Sequence, residues 1–157
     1  MKLTTWNIRG IGSIRKQRNL SSRIKEEKPD MVFIQETKCS MDKIREIHNK
    51  WLIKYEYLEV KVNNLVGGIL TLWDPQKFGI LNAEASIKYL SLVCQPLGDQ
   101  ESYIITNIYG PQKQEDKLKL LTSLEELRAR HPDVPWIVAE DFNMIRSLTK
   151  KKWVSDN

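Results

Sequence analysis

Three short apolar runs in this sequence end in side chains able to hold a hard metal ion or a phosphate. Asn7 follows Thr4-Thr5-Trp6, Glu36 follows Val32-Phe33-Ile34-Gln35, and Asp141 with Asn143 follows Trp136-Ile137-Val138. The repetition is the signal, because residues at the carboxyl ends of neighbouring strands converge at the edge of an open α/β sheet, where such folds bind ligands. Mg²⁺ takes one or two carboxylates and leaves waters and substrate phosphate to complete its octahedron. Glu36 and Asp141 offer that number. Each residue alone also fits a plain strand terminus or turn, as does Tyr109-Gly110-Pro111.

The elements that must position these side chains can be read from periodicity. A strand over 2–8 ends at Arg9-Gly10-Ile11-Gly12, and a helix over 16–28 places Leu20 and Ile24 four apart before Pro29-Asp30. A continuous apolar run over 31–34 reads as a strand covered on both faces. Residues 41–53 read as a second helix capped by Ser40. Further strands are expected over 55–62, 67–73, 85–96 and 102–109, as an antiparallel middle, with turns at Asn63-Asn64, Asp74-Pro75 and Gly98-Asp99. Over 114–130, Leu118, Leu121, Leu124 and Leu127 mark the inner stripe of an amphipathic helix, and 136–139 is a last apolar strand. This order argues for one α/β domain.

Composition sets the class. The chain has 157 residues, 41% hydrophobic, with five Trp, five Tyr and three Phe, too rich in large apolar side chains for a disordered chain. At this length a single core is expected to bury roughly 70% of the unfolded surface. No run approaches the roughly 18 apolar residues of a membrane span, and the first ten residues lack the apolar run of a signal peptide, so an intracellular protein without membrane contact is expected. Cys39 and Cys94 follow no metal spacing and read as reduced thiols. Of the net charge of +5, residues 1–28 hold eight basic against two acidic residues, and 146–157 four against one. Two basic ends suit a phosphate-rich partner, and solvated helix faces give the same pattern.

Five motifs in order resemble those of the endonuclease/exonuclease/phosphatase superfamily. They are Trp6-Asn7-Ile8-Arg9-Gly10, Ile34-Gln35-Glu36-Thr37-Lys38, Gly67-Gly68-Ile69-Leu70, Asn107-Ile108-Tyr109-Gly110-Pro111-Gln112 and Glu140-Asp141-Phe142-Asn143. The chain looks closest to the endonuclease domains of LINE-type non-LTR retrotransposons, relatives of the apurinic/apyrimidinic endonucleases. The resemblance implies a two-sheet α/β sandwich over 1–145, incomplete at its C-terminal end, followed by a basic tail over 146–157. It implies phosphodiester hydrolysis on DNA in the nucleus with Mg²⁺ or Mn²⁺ and no small-molecule cofactor. Glu36 matches the metal-binding glutamate and Asn7 the asparagine beside it. Tyr109 matches the tyrosine that reaches the scissile phosphate, and Asp141 and Asn143 match the pair that handles the attacking water and the phosphate. Gln112 falls where relatives touch the DNA backbone, and Arg9 is placed with it as a substrate contact.

Two departures stand out. Position 140 is Glu where the family has Gly, so a side chain there is expected to crowd the site and repel phosphate. The family's later Ser-Asp-His motif has only Ser155-Asp156-Asn157 as an imitation, 12 residues after Asn143. His48 and His131 are assigned to packing or surface roles. Hydrolysis by this chain is therefore expected to be impaired, and the apolar faces of the 102–109 and 136–139 strands are expected to be exposed. Two other readings are a non-catalytic nucleic-acid-binding remnant and a phosphoesterase acting on a small phosphoester.

Overall fold

All five residues of strand β2 (Met31–Gln35) are buried, and the rest of the molecule is built around it. In the computed structural model, which describes residues 1–60 and 67–141, β2 pairs in parallel with β1 (Leu3–Asn7). On its other side it runs antiparallel to β4 (Ile69–Trp73), which carries β3 (Glu56–Val60) on its outer edge. A second sheet has the order β5 (Phe78–Ala85), β6 (Tyr89–Pro96), β7 (Tyr103–Tyr109), β8 (Trp136–Asp141). Its pairs are antiparallel except β7 with β8, which is parallel.

Because side chains alternate along a strand, β2 serves two cores at once. Met31 and Phe33 face the second sheet and pack with Ile69, Leu90, Leu92, Cys94, Ile105 and Ala139. Val32 and Ile34 face the other way, onto helices α1 (Ile14–Glu27) and α2 (Met41–Ile47), where Leu20, Ile24, Ile44 and Ile47 are buried. Helix α3 (Gln114–Arg130) covers the outer face of the second sheet through Leu120 and Leu124 against Tyr89 and Ile108. The result is the two-sheet α/β sandwich. Ser13 and Ser40 cap α1 and α2, accepting hydrogen bonds from the backbone N–H of Lys16 and Lys43.

Five expectations are corrected. Strand β6 begins at Tyr89, not at 85, because the Ser86 hydroxyl accepts from the N–H groups of Lys88 and Tyr89 and turns the chain. The strand before that turn, β5, escaped notice because a register shift between Ile80 and Asn82 breaks its alternation. On α3 the buried stripe is Leu120, Leu124 and Leu127, whereas Leu118 and Leu121 are exposed: a spacing of three drifts around a helix of 3.6 residues per turn. The helix expected over 41–53 passes at His48 into a π-helical turn (His48–Leu52), where His48 Nε2 donates to the Tyr55 carbonyl at 2.6 Å. Strand β7 is buried along its five central residues; exposure is confined to the outer face of β8, where Val138 is accessible.

At the end of the first sheet away from Asn7 and Glu36, two buried carboxylates tie loops together. Asp30 accepts from the Lys2 backbone N–H at 2.7 Å and pairs with Lys77, while Asp74 pairs with Lys54 at 2.9 Å and accepts from the Gln76 N–H at 3.0 Å. Burial pushes both carboxyls up, but the lysines and backbone donors outweigh it and hold both below the ordinary Asp value of 3.8. A carboxyl depressed by folding stabilises above its unfolded pKa, and the stabilisation is lost as pH falls through the folded one. Stability measured by urea unfolding should be flat above about pH 5 and fall as the pH is lowered through the Asp range. Asp74→Asn should be less stable at neutral pH and show a shallower acid slope.

Candidate functional site

Parallel pairing of β1 and β2 sets Asn7 opposite Gln35, so the chain leaves both strands at the same end. There the Asn7 side chain donates from Nδ2 to Glu36 Oε1 at 3.0 Å, while its Oδ1 accepts from the Arg9 backbone N–H at 3.2 Å. The second bond fixes which way the amide points. Lys38 Nζ lies 3.1 Å from Glu36 Oε2, and the Tyr109 phenol, at the end of β7, is near enough to add a smaller influence on this carboxylate. Burial alone would raise the Glu36 carboxyl; donors from Asn7, Lys38 and Tyr109 reverse this and hold it below its ordinary value. The side chain is only 14% exposed, yet it stays charged.

The loops that present these groups are under local strain. Arg9, Glu36 and Lys38 all have positive φ, at 50°, 55° and 49°. Non-glycine residues adopt this region rarely and at a cost, which persists only where the surroundings over-determine it. The surroundings are a set of backbone bonds: Gly10 N–H to the Glu36 carbonyl at 2.7 Å, Ile11 N–H to Thr37 at 2.9 Å, and Lys38 N–H to Gly67 at 2.8 Å. Gly67 and Gly68 carry φ of 83° and 103°, a conformation that suits glycine, so the Gly-Gly motif is a backbone buttress for the Glu36 loop.

Beneath the carboxylate lies a buried polar network. Gln35 Nε2 donates to Asn107 Oδ1 at 2.7 Å and to Thr5 Oγ1 at 3.1 Å. Asn107 Nδ2 donates to the Leu70 carbonyl and to Thr71 Oγ1, both at 3.1 Å. These bonds join β1, β2 and β4 to β7, and each amide sits next to a site residue: Gln35 precedes Glu36, and Asn107 stands two before Tyr109. Both lie within the family-like motifs, at positions to which the resemblance assigns no role. Two amides inside otherwise apolar buried strands are the signal that would have found them.

Other assigned residues fall as follows. Arg9 is exposed on the loop beside Asn7. Gln112 is exposed and lines a hollow of about 230 Å³ with Gly68, Lys88, Tyr109 and Pro111. Asp141 lies opposite Tyr109 in the parallel register of β8, at the same end of the sheets. Asn143 lies outside the described residues, as does the 146–157 segment. Glu140 does not face Glu36: it lines a separate hollow against α3 with Trp136, Val138 and Leu124, where burial raises its carboxyl. Alternation along β8 thus turns it to the helix side and removes the expected crowding. His48 and His131 sit in structural positions, the former against Tyr55 and Tyr57, the latter capping α3.

Among the described residues no group of three or more His, Cys, Asp or Glu gathers as a metal cage. The hard oxygen donors at this point are those of the Glu36 carboxylate, steadied by the Asn7 Nδ2, and a cation already rests on Oε2 in the form of Lys38. That set suits Mg²⁺ or Mn²⁺, which keep several waters and borrow substrate oxygens.

The sequence profile of the Endonuclease/Exonuclease/phosphatase family matches residues 4–153. Among solved structures, the human Nocturnin catalytic domain superposes with a TM-score of 0.73 at 15% identity, covering 99% of this chain and 69% of that one. A mannosyl-6-phosphatase from Bacteroides thetaiotaomicron gives 0.72 at 13%, covering 99% and 70%. D. rerio TDP2 complexed with single strand DNA product gives 0.69 at 18%, covering 96% and 64%. The chain therefore spans about two thirds of the length of these neighbours. No curated protein matches it in sequence.

Truncating Asn107 leaves the Gln35 amide, the Leu70 carbonyl and the Thr71 hydroxyl short of partners in a buried place. Asn107→Ala should cost about 1–3 kcal/mol of stability for each group left unsatisfied, seen as a lower urea midpoint with an unchanged slope.

Proposed function

Because this chain belongs to the endonuclease/exonuclease/phosphatase family, we propose that it is a divalent-metal-dependent phosphodiesterase that nicks DNA, of the kind carried by LINE-type retrotransposons. The observation that carries this reading is Glu36, a nearly buried carboxylate held ionised by the Asn7 amide and the Lys38 ammonium, with a smaller influence from Tyr109 of the second sheet.

Glu36 would hold Mg²⁺ or Mn²⁺, with Asn7 beside it steadying the carboxylate through Nδ2. When bound, that ion supplies positive charge on a phosphoryl oxygen and eases attack at phosphorus. Tyr109 presents a phenolic donor to the same space, suited to the charge that builds on the phosphate oxygens. Asp141, level with Tyr109 across the β7–β8 ladder, is assigned the proton of the attacking water, and Asn143 the orientation of the phosphate. The water oxygen bonds to phosphorus, the bond to the departing strand end breaks, and its oxygen is protonated by solvent. Gln112 and Arg9, both exposed beside the site, are assigned to the DNA backbone.

DNA is preferred over a small phosphoester because residues 1–28, with eight basic side chains against two acidic, add a cationic field that favours a polyanion. A neighbour of the same fold holds single strand DNA product. No helix among the described residues is long and apolar enough to cross a membrane.

Supercoiled plasmid incubated with Mg²⁺ should be converted to open circles, and EDTA should stop the conversion. Glu36→Ala should reduce nicking to background, and Tyr109→Phe should slow it by about 10²–10³, the usual loss on removing one transition-state donor. Release of phosphate from hexose phosphates with no nicking would move the assignment to a small-molecule phosphatase.

A further inference from the structure

The turn between β5 and β6 has no part in either core, yet it is built more firmly than a connecting loop requires. The Ser86 hydroxyl accepts from the N–H groups of Lys88 at 3.1 Å and Tyr89 at 3.3 Å, and the Ser86 N–H donates to the Tyr89 carbonyl at 2.9 Å. A further bond ties the turn to the site: the Tyr109 N–H donates to the Lys88 carbonyl at 2.9 Å. The Lys88 ammonium then lies 5.6 Å from the centre of the Tyr109 ring. At the tip, Ile87 is 74% exposed.

Two hollows meet at this turn. The first, of about 230 Å³, runs past Tyr109, Gly110 and Gln112; the second, of about 260 Å³, runs along α3 past Asp116, Lys119 and Ser123. Ile87 and Lys88 line both. The cations near this path differ in their employment. Lys119 is paired with Glu115 and Asp116, and Lys38 with Glu36, whereas the Lys88 ammonium rests on an aromatic ring, a contact worth only about 0.5–1 kcal/mol at an exposed site. An anion arriving beside Tyr109 would draw it off at little cost.

We propose that the Ser86–Lys88 turn is a strand-binding element: Lys88 takes a backbone phosphate flanking the one beside Tyr109, and Ile87 packs against the adjoining sugar or base. This rests on the phosphodiesterase reading and deepens it, because a residue that grips a flanking phosphate rewards a polynucleotide and gives nothing to a substrate with one phosphate. The geometry is suited to that task. The turn is pre-organised by Ser86, so little loop ordering is lost on binding, and it presents one charge and one apolar side chain side by side, matching the alternation of phosphate and sugar–base along a strand.

The test is binding of a short fluorescein-labelled DNA duplex to the full chain in EDTA, across about 50–200 mM salt. Loss of one phosphate contact lowers the slope of log affinity against log salt by about 1, so Lys88→Ala should show that decrease and Lys88→Arg should restore the slope. Ile87→Ser should weaken binding several-fold without changing the slope, which separates the apolar contact from the charge. In Mg²⁺, Lys88→Ala should raise KM for plasmid nicking more than it lowers kcat. Urea midpoints of both variants within error of the parent confirm that the fold is kept, and Lys88→Gln serves if the alanine variant unfolds. An unchanged salt slope in a folded Lys88 variant, with nicking still dependent on Glu36, overturns the strand-binding turn and leaves the phosphodiesterase reading standing. A parent chain that neither retains nor nicks DNA overturns both.

Discussion

One hydrogen bond between two side-chain amides, from Gln35 to Asn107, holds the structure's chemistry in place. Apart from the bonds Asn107 also makes to the Leu70 carbonyl and Thr71, the described residues of the two sheets meet largely through apolar side chains, which resist separation but are indifferent to small slips. Polar groups buried without partners cost free energy, so Gln35 and Asn107 are satisfied in one register of β2 against β7 and penalised in others. That register is the one that sets Tyr109 near Glu36. The amides are spent on alignment, and the residues that follow each of them in sequence receive its benefit.

What the alignment produces is a carboxylate in an unusual balance. Glu36 is pulled towards neutrality by burial and back towards ionisation by three donors, and its backbone sits in a conformation that costs energy. A solvated strand-end glutamate needs none of this. Neighbouring outliers at Arg9 and Lys38 show that the strain belongs to the whole rim, held by bonds to the β1 loop and to Gly67–Gly68. At the opposite end of the first sheet, Asp30 and Asp74 are also buried and paired, but their lysines and backbone donors close loops onto one another. Two acidic ends of one sheet thus have different functions, told apart by what their partners are attached to.

Much of this was legible in the sequence. Unbroken apolar runs marked β2 and β8, Ser40 marked the start of α2, and the types of Asn7, Glu36 and Asp141 at strand ends pointed to one edge before any fold was known, whereas Tyr109 entered through the family resemblance. Failures have physical causes. The bulge in β5 scrambled the period-two pattern, and a leucine spacing of three imitated a helical stripe while drifting off the buried face. Glu140 was placed in the site by its neighbour in sequence, although adjacent strand residues face opposite ways. The Gln35–Asn107 bond joins positions 72 residues apart and leaves no periodic trace. Nor does local pattern reveal that Lys88, in a turn mistaken for strand, comes to rest over Tyr109.

The central claim is that strand ends from both sheets make one divalent-cation centre around Glu36. Paramagnetic broadening of backbone amide signals by substoichiometric Mn²⁺ tests it most directly, since the ion reports its own position. Selective broadening at Asn7, Glu36, Thr37 and Tyr109, absent in Glu36→Gln, is the result the structure requires. Broadening centred on Asp30 and Asp74, or spread evenly over the acidic surface and unchanged in Glu36→Gln, would contradict it.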